Sequence, residues 1–336
     1  MKINSRGQVV IAILAFGLTA PLAVMAQTTV FNDTFASGST VQSASPADPT
    51  ANSTGYEYFQ QGGNPTTPTV AANDLHLAGR TTTSSISEVQ ALFTTTPVAL
   101  TTIGDWIDLT VVFTDNQNIL VGGTTSSLNV GLFNSGGVKP VQGVRLDTSG
   151  SGTGGAIGWN GYVGRIFGDG NARVYTRAPQ GAGLTNPNQS QDLLFNGASG
   201  SSTYNNPAGV TVGSVLTTFT GGLTAASTYT LDYQIMLSAA STLTISNALY
   251  SGNSVAGTPL FSQIVTASGA TFVTNSFDGL ALGWRFNSTS AANSIDVSSI
   301  NVNDLVQVVV PEPGTVALLG GGALLAVFLR RRQSRN

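Results

Sequence analysis

Apolar residues recur at every second position along several stretches of this chain, and that alternation limits its fold more than any other feature. Tyr229, Leu231, Tyr233, Ile235 and Leu237 alternate with Thr230, Asp232 and Gln234. A period of two places the first set on one face of an extended strand and the second set on the other. Ile107, Leu109, Val111 and Phe113 repeat the pattern, as do Leu280, Leu282, Trp284 and Phe286. Shorter segments of the same kind are Asp74 to Ala78, Ile86 to Phe93, Leu128 to Phe133, Leu243 to Leu249 and Ile295 to Val302. Gly, Asn, Ser and Pro clusters separate them, and no segment between the chain ends shows helical periodicity. The pattern predicts an all-β chain of two packed antiparallel sheets, a β-sandwich.

Two stretches, Ser149 to Gly170 and Asn196 to Gly213, are dense in Gly, Ser and Asn and are expected to be long surface loops. The opening Phe31-Asn32-Asp33-Thr34-Phe35 and the closing run from Ser294 to Val302 are expected to be neighbouring strands. In this the chain resembles jelly-roll sandwiches, whose first and last strands lie together, and a concanavalin-A-like jelly roll is the expected topology. Other sandwiches and a β-solenoid are the alternatives, although no repeat of fixed period is visible.

The two ends of the chain read differently from its middle. Lys2 and Arg6 precede an apolar run from Val9 to Ala20, and after Pro21 the segment closes on Val24-Met25-Ala26. A short apolar run with a basic start and small residues at its end is the pattern of a secretory signal peptide. Cleavage by signal peptidase is expected after Ala26, giving a signal over 1–26. At the other end, Pro311-Glu312-Pro313 leads into an uncharged segment from Gly314 to Leu329, then Arg330, Arg331, Arg332 and Arg335. The prolines break the preceding strand and leave an exposed hinge. As a helix the uncharged segment reaches about 25 Å, short for a bilayer span without local thinning. The arginines would hold the terminus on the cytoplasmic side.

This order of motif, apolar run and basic end resembles the PEP-CTERM sorting signal, and the resemblance covers about the last 26 residues. It implies recognition by an exosortase, a membrane-embedded cysteine protease of Gram-negative bacteria, with Pro311, Glu312 and Pro313 as the sorting motif. It also implies an inner-membrane intermediate, then release or attachment at the cell surface or in an exopolysaccharide matrix. A plain C-terminal anchor would use the same helix and arginines but would not require Pro-Glu-Pro. The expected organisation is therefore a signal peptide, a sandwich domain over 27–309 and a sorting signal over 310–336.

Residues 27 to 310 hold seven Lys and Arg against fifteen Asp and Glu, a formal balance of −8. Lys139 is the one lysine in this span, so a basic footprint for nucleic acid is absent. The chain has no cysteine, which excludes disulfide staples and thiol chemistry. About 284 residues are enough to bury a stabilising core without them.

The chemistry-bearing residues are few. His76, the single histidine, sits in Asp74-Leu75-His76-Leu77, where alternation places it on the solvent side of a strand. The sequence supplies no motif for the carboxylate and nucleophile that a catalytic histidine requires. Glycoside hydrolysis uses two carboxylates flanking the scissile bond. The middle region has two glutamates, Glu57 and Glu88, far apart in sequence, and lacks the clustered acidic strand motif of laminarinase-like enzymes. Asp115-Asn116-Gln117-Asn118 and Asp169-Gly170-Asn171 offer oxygen ligands for calcium, but the same residues are ordinary turn formers. Trp284 is expected in the core, whereas Trp106 begins a strand on its polar side. Trp159 and Tyr162, beside a Gly-rich run, form the candidate sugar-stacking pair, against the alternative that they pin the loop to the sandwich. Sequons at Asn32, Asn52, Asn188 and Asn287 carry no weight in so Ser-, Thr- and Asn-rich a chain. No cofactor is expected. The reading is a non-catalytic exported surface or matrix protein, with a lectin-like module as alternative and a polysaccharide-degrading enzyme as a more distant one.

Overall fold

The structure is a computed structural model, and it describes residues 24–36, 56–61, 68–71, 73–78, 85–116, 126–137, 159–168, 170–177, 193–194, 211–216, 223–286 and 294–308. Residues Ala26–Val306 form one compact unit, outside which the two chain ends fall. Among the described residues the chain is built of strands, with one short 3-10 turn at Gly269–Thr271.

The first sheet contains β1 (Val24–Asp33), β3 (Thr69–Ala71), β4 (Asp74–Ala78), β7 (Trp106–Asp115), β12 (Ser227–Ala239), β13 (Thr242–Ser251), β14 (Phe261–Ser268) and β17 (Ser294–Val308). Its order is β14-β13-β12-β7-β17-β4-β3, with β1 also on β17. The second sheet contains β2 (Glu57–Gln61), β5 (Ser85–Leu92), β8 (Ser127–Asn134), β9 (Asn160–Phe167), β10 (Ala172–Arg177), β11 (Thr211–Leu216) and β16 (Gly279–Phe286), in the order β11-β10-β9-β8-β16-β5-β2. A small ribbon pairs β6 (Val98–Ala99) with β15 (Ser276–Phe277). The chain passes repeatedly from one sheet to the other, and its first and last strands lie together, which is jelly-roll topology. Thr29 Oγ1 donates to Asn303 Oδ1 at 2.9 Å across the β1–β17 contact.

Alternation places the core where the sequence indicates. In β7, Ile107, Leu109, Val111 and Phe113 are buried, while Asp108, Thr110, Val112 and Thr114 line the outer face. Opposite them on β12, Tyr229, Leu231, Tyr233, Ile235 and Leu237 continue the same buried face. The second sheet answers with Leu128, Val130, Leu132, Ile166, Val174, Leu280, Leu282 and Trp284. Trp284 spans the interior, and its indole N–H donates to the Leu77 carbonyl at 3.1 Å. At about 25 cal/mol per Å² of apolar surface, burial of this kind stabilises a chain that has no cross-links.

The structure corrects both loop expectations. Asn160 to Phe167 is not part of a loop but a strand, β9, with partners on both sides. Its glycines mark close approach rather than flexibility. A Cβ at Gly164 would lie 2.7 Å from the Tyr233 ring, and one at Gly161 would collide with the Leu132 carbonyl oxygen. Thr211 and Val212, with Gly213, belong to β11 on the sheet edge. Of the rest of both stretches, 149–158, 169 and 196–210 lie outside the described residues, and Gly170 turns β9 into β10 at φ +83°.

Candidate functional site

The outer face of the second sheet is the most heavily built polar region. Strands β5, β16, β8 and β9 put Glu88, Gly283, Asn129 and Arg165 in one row across the sheet. The next row toward the strand ends is Gln90, Ala281, Gly131 and Val163, and Tyr175 of β10 lies opposite Val163. Small residues on β16 and β8 leave a trough, which a second apolar cluster fills. Phe133, Trp159, Val163, Tyr175, Leu193, Leu194, Leu92 and Ala281 are all buried there.

Glu88 is fully buried, so its carboxylate has to be compensated. It accepts the backbone N–H of Leu193 at 3.1 Å and that of Leu194 at 3.2 Å, and Gln90 Nε2 donates to it at 2.5 Å. Asn129 Nδ2 donates to the Leu194 carbonyl at 2.9 Å. Glu88 and Asn129 thus hold the Leu193-Leu194 backbone over the trough. By register Glu57 stands opposite Gln90 on β2, so the two glutamates, remote in sequence, occupy adjacent strands.

Trp159 and Tyr162 are not a sugar-stacking pair. Both are fully buried, and they belong to opposite faces of the sheet. Trp159 covers Gly279 on the outer side, where an added Cβ would come within 2.5 Å of its ring. Its ring centroid is 6.2 Å from that of Phe133. Tyr162 points into the sandwich, where its hydroxyl donates to the Thr274 carbonyl at 3.1 Å and accepts the Val273 N–H at 2.9 Å. A ring enclosed on both faces offers nothing for a sugar to stack on, so pinning is the role the structure gives each tryptophan and tyrosine here.

The outer face of the first sheet carries two further polar groups. His76 is half-buried on β4, and its Nδ1 lies 2.5 Å from Asp296 Oδ1 on β17. Asn116 Nδ2 donates to Asp296 Oδ2 at 2.8 Å and to Ser294 Oγ at 2.9 Å. The hydrogen bond to Asp296 raises the His76 pKa, and the same bond lowers that of Asp296. The orienting carboxylate that sequence reasoning did not find is therefore present, 220 residues away in the chain. No nucleophile is hydrogen-bonded to the imidazole among the described residues.

The second group is Asp108 on β7 with Asp232 on the neighbouring β12. Burial, then the hydrogen bond and charge of Asp232, push Asp108 up to about 8. Asp108 therefore keeps its proton at neutral pH. Thr110 Oγ1 donates to Asp108 Oδ2 at 3.1 Å.

Of the calcium candidates, Asp115, Asn116, Gly170 and Asn171 are described, while Gln117, Asn118 and Asp169 lie outside the described residues. Asp115 is buried, and its carbonyl accepts the Ala226 N–H at 2.6 Å, while Asn116 is the cross-link described above. Among the described residues no group of three or more His, Cys, Asp or Glu is placed to hold a metal ion. Trp106 is half-buried at the start of β7, and Trp284 is in the core.

Ala26 lies in β1. Pro311, Glu312, Pro313, Arg330, Arg331 and Arg332 lie outside the described residues, as does the apolar segment between them. Among the described residues no helix is long and apolar enough to cross a membrane.

Among curated proteins none matches this sequence. Solved structures give likenesses of strand arrangement at low identity. An endo-1,3-beta-glucanase from Streptomyces sioyaensis is 13% identical, with 86% of this chain and 100% of that one covered and a TM-score of 0.43. Peanut lectin is 10% identical, covering 85% of this chain and all of its own, with a TM-score of 0.35. Lectin II from Ulex europaeus is 14% identical over 74% of this chain and 92% of that one, at a TM-score of 0.32. A protein-family match carries more, because it falls on the segment whose chemistry was read from the sequence. Residues 309–332, directly after β17, match the PEP-CTERM protein-sorting motif. The chain is thus a jelly-roll β-sandwich that ends in a PEP-CTERM sorting signal, the mark of an exported protein sorted by an exosortase.

Proposed function

We propose that this chain is a non-catalytic component of the cell surface or extracellular matrix of a Gram-negative bacterium, delivered by the exosortase pathway. The observation that carries the proposal is the sorting motif at 309–332, placed directly after the last strand of an all-β domain. Removal of the tail would free the domain from the membrane, and removal of the signal after Ala26 by signal peptidase would precede it.

The outer face of the second sheet supports the non-catalytic part of this reading. Glu88 uses its carboxylate oxygens to hold backbone N–H groups of the chain itself, and three rings and three leucines help to fill the trough beside it. A general acid or nucleophile needs reach to a substrate, and a carboxylate committed to buried amides has none.

The test is made in the native host with Glu312→Ala. The apolar segment and arginines remain in this variant, so membrane insertion is retained while recognition of the motif is lost. Wild-type protein is expected in the surface or matrix fraction and the variant in the inner membrane. Equal surface delivery of both would overturn the sorting reading. Release of reducing ends from the host's own exopolysaccharide by purified protein would overturn the non-catalytic reading.

A further inference from the structure

Three polar side chains lie side by side in the core between the sheets. On the inner face of the first sheet Tyr233 of β12 stands opposite Asn247 of β13, and Asn247 stands opposite Gln263 of β14. Residues placed this way have Cβ atoms about 4.5–5.5 Å apart. All three are buried, Tyr233 and Asn247 fully. The rows on either side are apolar, with Leu231, Leu249 and Phe261 in one and Ile235, Ile245 and Val265 in the other. Gly164 of β9 faces the polar row from the second sheet. The point where a Cβ on Gly164 would stand is 2.7 Å from Tyr233 Cε2 and 2.9 Å from Asn247 Nδ2, so ring and amide meet over this glycine.

Four polar atoms of the row have no hydrogen-bond partner among the described residues: Tyr233 Oη, Asn247 Oδ1, Asn247 Nδ2 and Gln263 Oε1. Gln263 Nε2, in contrast, donates to the Ser214 carbonyl at 2.9 Å and to the Ala172 carbonyl at 3.2 Å. Those bonds fix which end of the amide is left over, an oxygen that needs a donor. Buried polar atoms in native proteins nearly always find a partner. The partner required here donates to Asn247 Oδ1 and Gln263 Oε1 and accepts from Asn247 Nδ2, while the Tyr233 hydroxyl can take either part. It is uncharged, because the row holds no ionic group and its neighbours are apolar. It is also small, because ring and amide already close over Gly164. Water meets all three demands, at about three hydrogen bonds per buried molecule.

We propose that the core binds ordered water on the Asn247 amide, linking it to the Tyr233 hydroxyl and to Gln263 Oε1. The bound water completes a polar row across β12, β13 and β14, and so helps to hold these strands in register. Gln263 reaches from β14 to carbonyls of β10 and β11, which closes the row at the edge of the sandwich, and exchange with solvent is expected to be slow. The site belongs to the fold itself and does not depend on how the protein is sorted.

Full-length protein in detergent micelles is compared with Asn247→Leu, which keeps the volume and removes both polar ends of the side chain. Oxygen-17 magnetic relaxation dispersion counts the long-lived waters of each, and both are crystallised. The wild-type map is expected to show water at about 2.7–3.2 Å from the Asn247 amide. The variant's dispersion should fall by at least one long-lived water. Tm gives a second reading, whose sign separates a wet row from a dry one. With water in place, Asn247→Leu strands the Tyr233 hydroxyl and Gln263 Oε1 and lowers Tm, whereas in a dry row it removes two unpaired atoms and raises Tm. Should Asn247→Leu fail to fold, Tyr233→Phe carries the same comparison, and the wild-type map decides by itself. A map with no density beside Asn247, a dispersion equal in wild type and variant, or a raised Tm in the variant would overturn the site. Density larger than water would overturn water as the ligand.

Discussion

Trp159 is enclosed between Gly279 and Phe133, and removing it would leave a ring-sized void over a sheet whose backbone has no side chain there to fill it. Trp159→Ala is therefore expected to cost about 3–5 kcal/mol, a fall in Tm on the order of 10 °C. Thermal denaturation checks this, and an unchanged Tm would show that the ring is not part of the packing. Glu88 makes a second residue-scale case. Glu88→Ala would leave the buried N–H groups of Leu193 and Leu194 without their acceptor, at about 1–3 kcal/mol for each. Hydrogen exchange should show those two amides losing protection ahead of β8 and β9. Pinning was one of the two sequence readings of Trp159, without the residues it covers, whereas the role of Glu88 was not legible at all. Trp159 stands before a strand disguised by glycine, and the partners of Glu88 are backbone groups of residues 105 and 106 positions away.

At the scale of elements, the strands that were legible are those whose inward positions are all apolar, such as Ile107 to Phe113 and Tyr229 to Leu237. β9 was not, because Gly161 and Gly164 stand where alternation would call for side chains and aromatic rings of other strands fill their space. β14 was not singled out either. Its inward set of Phe261, Gln263, Val265 and Ala267 includes a glutamine, whose Nε2 bridges to the carbonyls of Ala172 and Ser214 in the other sheet. Pairing between β7 and β12 has a measurable consequence through Asp108. Its pKa is raised from the ordinary 3.8 to about 8, so the folded protein holds a proton that the unfolded chain releases. The contribution is fully present below about pH 4 and is lost as pH rises through about 8. Asp108→Asn replaces the protonated carboxyl of Asp108 with an amide that does not titrate. The variant should show a flatter Tm profile between pH 4 and 8 and a Tm a few degrees higher at pH 8. An unchanged profile would show that Asp108 does not hold its proton in the folded protein.

At the scale of the whole molecule, aspartates gather on the outer face of the first sheet and arginines on that of the second, beside the buried Glu88. Among the described residues Asp74, Asp108, Asp232 and Asp296 lie on the outer side of the first sheet, and Arg165, Arg173, Arg177 and Arg285 on that of the second. The division follows from register, and the sequence alone does not reveal it, since the residues are spread over more than 200 positions. The sorting signal, in contrast, was legible in one short segment, because such a signal acts through local chemistry. In the proposed function the two meet, as a sandwich delivered outside the cell by a tail that is then removed. Intact-mass measurement of the wild-type protein recovered from the surface or matrix of its native host tests this most directly. The predicted mass lacks residues 1–26 and the apolar, arginine-ended tail beyond the Pro311-Glu312-Pro313 motif, whereas recovered protein that still carries the tail through Arg330, Arg331 and Arg332 would contradict it.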